Sequence, residues 1–219
     1  MEPRELDACV TGCARAHQQL LEALDRRLAD GVLDTGESSR LPEWTVGHVL
    51  AHLVGNAQAF VHVLEAAERG EVAAMYPGGA EGRLADIDAR ATQPADVLVM
   101  QVRRSIWALE GAWASCTTEG WQGRARAFVG EFPVADVPFR RWREVQVHHT
   151  DLGWGLEPQQ WDPEYVRRDL GTFESMWLRR NPEHGGSLPD AALALKPETR
   201  LAWLLGRVQP PGLPEGSSL

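Results

Sequence analysis

The chain has 219 residues, enough for one large domain or for a main domain with a small appendage. Its hydrophobic fraction of 43% and charged fraction of 24% are those of a soluble globular protein. A net charge of -9, from 31 acidic and 22 basic residues, argues against a nucleic-acid partner. The sequence has no apolar run of about 18 residues and no signal peptide, so we expect a cytoplasmic protein without a membrane partner. Three cysteines, an odd number, predict no disulfide framework.

Four segments repeat apolar residues at the i, i+3, i+4, i+7 spacing that places them on one face of a helix. Thr45 is a suitable N-cap for the second helix, Pro94 opens the third, and Gly153 suits the end of the fourth. Residues 70–91 are predicted as a long loop, and residues 124–132 as a short hairpin or an extended excursion. The four predicted helices cover residues 3–30, 45–69, 94–119 and 138–153. Four long helices joined by loops predict a helical bundle.

The composition changes after the fourth helix, and a fifth helix is predicted over residues 162–180. Three further segments are predicted beyond it: a strand at 191–195, a short helix at 198–205 and a tail at 210–219. The predicted organisation is therefore a helical bundle over residues 1–155 and a small C-terminal α/β region with a tail over residues 156–219.

Glu144 and His148 are four residues apart in the fourth predicted helix. Side chains at this spacing project from the same face of a helix, one turn apart. A carboxylate and an imidazole placed this way provide two of the three protein ligands that a catalytic zinc site needs. The alternative is an ion pair on the helix surface, which is the commoner meaning of this spacing.

The second predicted helix is the best source of a third ligand. His48 and His52 lie one turn apart on it, and Asn56 follows one turn later on the same face. Three stacked polar side chains on an otherwise apolar helix need a polar partner if they are buried. This face is therefore predicted to meet the Glu144 face of the fourth helix.

The candidate ligands and the residues that flank them on these two helices form a recognisable sequence motif. They are Trp44-Thr45, Ala51-His52-Leu53 and Asn56 on the second helix, and Arg143-Glu144, His148 and Asp151-Leu152-Gly153 on the fourth. The pattern resembles the mycothiol-dependent maleylpyruvate isomerase family, which belongs to the DinB-like superfamily of actinobacterial thiol enzymes. The resemblance spans about residues 5–155. It implies a mainly α fold, a DinB-like four-helix bundle, with a C-terminal α/β appendage that is reduced in this chain.

The resemblance implies a zinc ion held by His52, Glu144 and His148. Three further residues would surround these ligands: His48, His149 and Asp151. Since structural zinc usually takes four protein ligands, His48 or His149 would complete the set if the zinc were structural. The spacing leaves that alternative open.

The resemblance also implies a substrate site. Arg83 matches an arginine that the family uses with its anionic substrate, and is the expected catalytic residue. Asn56 and Arg207 are the other residues expected to bind substrate or thiol.

The implied cofactors are Zn2+ and mycothiol, a small-molecule thiol that acts as cosubstrate. Zinc coordination turns a thiol into a thiolate at neutral pH. Addition of this thiolate to a cis-unsaturated diacid, rotation about the resulting single bond and elimination would give the trans isomer, so that maleylpyruvate becomes fumarylpyruvate. The alternatives are a mycothiol S-transferase acting on another electrophile and a non-catalytic, metal-stabilised binding module. We expect a monomer, with a dimer as the alternative.

Overall fold

The computed structural model describes residues 2–216, and the chain divides into two compact units, Met1–Trp154 and Gly155–Leu219. The helices of the first unit are α1 (Pro3–Ala29), α2 (Val46–Glu68), α3 (Gly79–Ala91), α4 (Ala95–Ser115), α5 (Thr118–Trp121) and α6 (Val137–Asp151). Strands β1 (Arg124–Ala127) and β2 (Gly130–Pro133) form an antiparallel hairpin, and a 3-10 turn leads from β2 into α6. The predicted mainly α fold is confirmed.

The core of the first unit is a four-helix bundle of α1, α2, α4 and α6. Helix α2 packs against α4, α3 and α6, while α1 packs against α6 and α4. Val49, Leu50 and Ala51 of α2 are all fully buried, although consecutive residues point in different directions. Helix α2 is therefore surrounded by its neighbours, which places His52 inside the bundle.

Helices α1 and α6 approach closely at Gly12. A Cβ atom at this position would lie 2.2 Å from Cη2 of Trp142, which is itself fully buried. Glycine lets the indole ring lie directly against the backbone of α1. This contact fixes α6, which carries Glu144 and His148, against the rest of the bundle.

The helix ends next to the site are formed by the capping residues predicted from the sequence. The Thr45 hydroxyl accepts a hydrogen bond from the backbone of His48, and Nδ1 of His48 in turn accepts one from the Thr45 backbone at 3.2 Å. These two bonds satisfy donors at the start of α2. At the other end of the site, Gly153 follows α6 with a φ of 75°, a conformation that favours glycine.

The loop prediction for residues 70–91 is wrong in its second half, where α3 forms. Its sequence contains two glycines and a short apolar stripe, so its propensity for helix is weak. The buried side chains Ile87 and Ala91 pack on Ala51 of α2, with Trp44 beside them. This tertiary packing stabilises a helix that the local sequence does not predict.

All regular secondary structure in the described residues of the second unit, 155–216, is helical. Its α-helices are α7 (Pro163–Arg180), α8 (Asp190–Leu193) and α9 (Pro197–Leu204), and α7 packs against α9. The strand predicted at 191–195 is wrong, because these residues belong largely to α8. Alanine and leucine are good helix formers, and a short apolar run does not by itself distinguish a strand from a helix.

Part of the predicted tail is packed within the second unit. Leu213 is buried, and the indole nitrogen of Trp203 donates a hydrogen bond to the carbonyl of Pro214 at 2.8 Å. The rest of that prediction, residues 217–219, lies outside the described residues. Within residues 2–216, no helix combines the length and apolar character required to cross a bilayer.

Candidate metal centre and substrate pocket

Helices α2 and α6 bring His52, Glu144 and His148 together. Nε2 of His52 lies 2.8 Å from Oε2 of Glu144, and Nε2 of His148 lies 3.5 Å from the same oxygen. Each residue offers one ligand atom, and these atoms all lie within 4.8 Å of one another. The two imidazole rings meet edge to face, with their centroids 4.5 Å apart. Two nitrogens and one oxygen in this arrangement match a three-ligand zinc site.

The charges of the three groups suit a divalent cation. Burial alone would raise the pKa of Glu144, but hydrogen bonds with His148 and His52 hold that pKa well below its usual value. Burial opposes protonation of His148, yet hydrogen bonds to Asp151 and Glu144 raise its pKa. Burial and the nearby charge of His148 lower the pKa of His52 to about 4. The site therefore holds one carboxylate and, at His52, one neutral imidazole.

His148 is oriented by Asp151, which is almost fully buried. Nδ1 of His148 donates to Oδ2 of Asp151 at 2.8 Å. In the neutral ring this proton on Nδ1 leaves the lone pair on Nε2, the atom that faces Glu144. A carboxylate behind the imidazole is the usual partner of a histidine that binds a metal. In the neutral ring, Asp151 thus favours the tautomer that ligation requires.

His52 is held differently. Nη2 of Arg83 lies 3.0 Å from Nδ1 of His52, and a guanidinium only donates, so this nitrogen accepts. In the neutral ring the proton is then on Nε2, which donates to Glu144. Ligation through Nε2 requires that proton to leave and the contact with Arg83 to break. The donor set therefore suits zinc, provided that Arg83 turns away from His52.

The two other candidate histidines lie outside this group. Nδ1 of His48 takes part in the N-cap of α2, and its Nε2 lies 3.7 Å from Asp88. His149 is buried, and burial lowers its pKa to about 4. Within the described part of the chain, neither belongs to the three-residue group formed by His52, Glu144 and His148. Their suggested role around the metal stays a prediction.

Two cavities open beside this group, with volumes of about 220 and 350 Å3. Both are lined by His52, Asn56, Met75, Tyr76 and Arg83, and the larger one also reaches Glu144. The structure therefore brings Asn56 and Arg83 to the same pocket as the candidate ligands. Arg207 belongs to the second unit, where its side chain donates to the carbonyl of Leu205 at 2.7 Å. Its role with substrate stays a prediction.

Sequence reasoning missed four residues that line the larger cavity: Tyr76, Phe128, Arg140 and Arg143. The Tyr76 and Phe128 rings stack with centroids 5.6 Å apart, and the Arg83 guanidinium lies over the Tyr76 ring. Arg140 lies one helical turn before Glu144, a spacing that places it on the ligand face. Together with Arg83, the two further arginines give the pocket a positive lining, which favours an anionic ligand.

A buried histidine on α1 provides a test of stability against pH. Burial lowers the pKa of His17 to about 4, although its hydrogen bond with Glu110 opposes the change. An unfolded histidine titrates near 6.5, so the unfolded chain binds more protons between about pH 4 and 6.5. The contribution of His17 to stability is complete above about pH 6.5 and is lost as the pH falls towards 4. It amounts to about 3 kcal/mol at most.

Between pH 7 and pH 4.5 we expect the free energy of unfolding to fall less in His17→Gln than in the wild type. Urea unfolding at the two pH values measures the difference. The pKa values of His52 and His149 are also lowered to about 4, but their contributions cancel in this comparison. Glutamine keeps an acceptor for the buried Arg141, which donates to His17 at 3.1 Å. An equal loss in both proteins would show that His17 is not the titrating group.

Comparison with known proteins agrees with the geometry. The family model described as the mycothiol maleylpyruvate isomerase N-terminal domain matches residues 4–153. The chain belongs to this family. It is an isomerase-type enzyme, and the family assignment made from the sequence is confirmed.

Solved structures show the same fold. The crystal structure of a mycothiol-dependent maleylpyruvate isomerase matches with a TM-score of 0.73 and 24% identity, covering 80% of this chain and 72% of that chain. A variant of that isomerase, in which a histidine is replaced by alanine, matches to the same extent. None of the curated proteins matches this chain. The structural likeness supports the DinB-like bundle predicted from the sequence.

Proposed function

We propose that this enzyme converts maleylpyruvate, or a closely similar cis-unsaturated diacid, to the trans isomer, with mycothiol as cosubstrate. In this proposal His52, Glu144 and His148 hold a zinc ion, and Arg83 binds a carboxylate of the substrate. The observation that carries the proposal is the placement of three ligand atoms within 4.8 Å of one another, two of whose residues, His52 and Glu144, line an arginine-rich pocket.

The donor set leaves room for a thiol. Three protein ligands are typical of a catalytic zinc site, which keeps one open coordination position. Zinc in such a site lowers the pKa of a thiol that reaches it, so that the sulfur is a thiolate at neutral pH. Glu144 supports this role because its carboxylate stays ionised, and Asp151 supports it by keeping His148 in the required tautomer.

The pocket residues act on the substrate. The sulfur would form a bond to one alkene carbon while the π pair moves to the conjugated carbonyl oxygen, giving an enolate. Arg83 would stabilise that negative charge and hold a carboxylate in place. After rotation about the new single bond, the pair on oxygen would restore the double bond as the carbon–sulfur bond breaks. The thiolate is regenerated, and no side chain of the protein needs to act as nucleophile.

A turnover assay with zinc-loaded enzyme tests the proposal. We expect formation of the trans diacid with mycothiol and no formation without it, with the concentration of free thiol unchanged at the end. Consumption of free thiol with each turnover would instead establish the S-transferase. A stoichiometric zinc ion without turnover of any unsaturated diacid would favour a metal-stabilised binding module.

A further inference from the structure

Arg141 is a fully buried arginine on α6, three residues before Glu144. Its Nη1 donates to Oδ1 of Asn56 at 2.8 Å and to the carbonyl of Leu53 at 2.9 Å. Its Nε donates to Nε2 of His17 at 3.1 Å. These acceptors are neutral, and burial lowers the pKa of the guanidinium. A desolvated cation held by neutral acceptors is costly, so packing alone does not explain an arginine here.

The contact with Arg141 decides which way the Asn56 amide points. A guanidinium has only donors, so Asn56 must turn its oxygen towards Arg141. The amide nitrogen, which is the donor, is then directed away from Arg141. Asn56 also lines both cavities, together with Tyr76 and Arg83. The side of Asn56 that meets the pocket is therefore its donor side.

Tyr76 continues this donor surface. It lines both cavities beside Asn56 and Arg83, and its hydroxyl carries a proton that it can donate. Burial raises the pKa of Tyr76, which keeps that proton in place at neutral pH. The loop that carries Tyr76 is tied to the hairpin, because the backbone of Met75 donates to the carbonyl of Arg126 at 2.9 Å. Tyr76 is therefore held at the wall of the pocket that Asn56 also lines.

We propose that Arg141 is a positioning residue for substrate binding. It fixes the Asn56 amide so that the amide nitrogen joins Tyr76 and Arg83 in presenting hydrogen-bond donors to the pocket, and this surface selects a carboxylate over a neutral isostere. The inference rests on the proposed function, in which the pocket takes an unsaturated diacid. Arg141 itself lies behind Asn56 and acts through it.

Asn56→Asp is the sharpest test, since it changes the polarity of this surface with almost no change in shape. One carboxylate oxygen keeps Arg141 as its partner, and the other replaces the amide donor on the pocket side. We expect normal folding and zinc content, and a Kd for maleate at least about tenfold weaker in the zinc-loaded enzyme. Gln18→Glu adds the same single charge on the exposed face of α1 and should leave this Kd unchanged.

A double-mutant cycle separates positioning from simple structural support. Lysine cannot satisfy all the acceptors of Arg141, so Arg141→Lys should weaken maleate binding by about fivefold or more. The same substitution should have no further effect on Kd in an Asn56→Ala background. If Arg141 only stabilised the fold, Arg141→Lys would instead lower Tm in both backgrounds without changing the Kd for maleate. If Arg141→Lys does not fold, the Asn56→Asp result alone decides.

The outcomes also distinguish this inference from the function on which it rests. Wild-type enzyme that binds maleate no better than the neutral maleamide would contradict the proposed diacid substrate. A preference for maleate that Asn56→Asp retains unchanged would overturn the role of Arg141 and Asn56 alone. A preference that Asn56→Asp removes, while Gln18→Glu keeps it, supports both.

Discussion

Replacing His148 by alanine should remove bound zinc and lower turnover by at least about 10³-fold. His148 supplies one of three ligand atoms, and its Nε2 faces the oxygen of Glu144 that His52 also contacts. Without it the site retains two ligands, too few for a catalytic zinc site. In the proposed mechanism zinc generates the thiolate nucleophile, and losing that activation at a cost of about 4 kcal/mol corresponds to this loss. Elemental analysis and steady-state rates measure the two effects, and His52→Ala should behave in the same way.

His149→Ala is the matched control for these substitutions. It removes the neighbouring buried imidazole from the same helix, so it costs packing without removing a ligand of the proposed site. We expect full zinc occupancy in this variant, with a lower Tm. Full occupancy in His148→Ala or His52→Ala would show that the ligand assignment is wrong.

Arg83→Ala should lower kcat/KM for the diacid by about ten- to a hundredfold while zinc content and folding remain normal. A charge-assisted hydrogen bond to a carboxylate contributes about 1.5–3 kcal/mol, which corresponds to this range. The guanidinium lies between the pocket and His52, 3.0 Å from Nδ1, and zinc ligation by His52 would release it for the substrate. Steady-state kinetics with the dianionic substrate measures the loss.

Arg90→Ala controls for the loss of an arginine from the same helix. Arg90 lies two turns after Arg83 on α3 and pairs with Asp86 at 3.0 Å, so we expect nearly normal kinetics. Arg83→Lys keeps the charge but not the planar pair of donors, and should give an intermediate rate. Unchanged kinetics in Arg83→Ala would contradict its role and direct attention to Arg140 and Arg143.

The bundle was predictable because its signals are local and strong. Apolar residues recur at helical spacing, Thr45 caps α2, and Gly153 follows α6 in the conformation that glycine favours. The spacing of Glu144 and His148 placed both on one helix face, and the polar face that contains His52 indicated the opposing helix. Family resemblance then selected the three ligands, and the structure brings their donor atoms together.

Elements stabilised by tertiary contacts could not be predicted in this way. Helix α3 depends on Ile87 and Ala91, which become buried only against α2. The apolar run at 191–195 is compatible with either a strand or a helix, and local sequence does not decide between them. The prediction of an α/β region at the C-terminus is therefore wrong, because residues 191–195 form no strand.

The hydrogen-bond donors that line the pocket could not be predicted from the sequence either. Arg141, Asn56 and Tyr76 come from α6, α2 and the loop before α3, and no spacing in the chain links them. The amide nitrogen of Asn56 is directed to the pocket only because Arg141 contacts the amide oxygen in the folded chain. A basic residue on the inward face of α6, close to the ligand pair, was the one available signal.

Binding of the thiol to zinc-loaded and metal-free enzyme tests the central claim most directly. Calorimetry with mycothiol, or a simpler cysteinyl analogue, in buffers of different ionisation enthalpy counts the protons released. We predict binding to the zinc-loaded form with release of about one proton per thiol, because the thiol must ionise to coordinate the metal. We predict no binding to the metal-free form. Equal affinity of the two forms, or binding without proton release, would contradict a sulfur held on the metal.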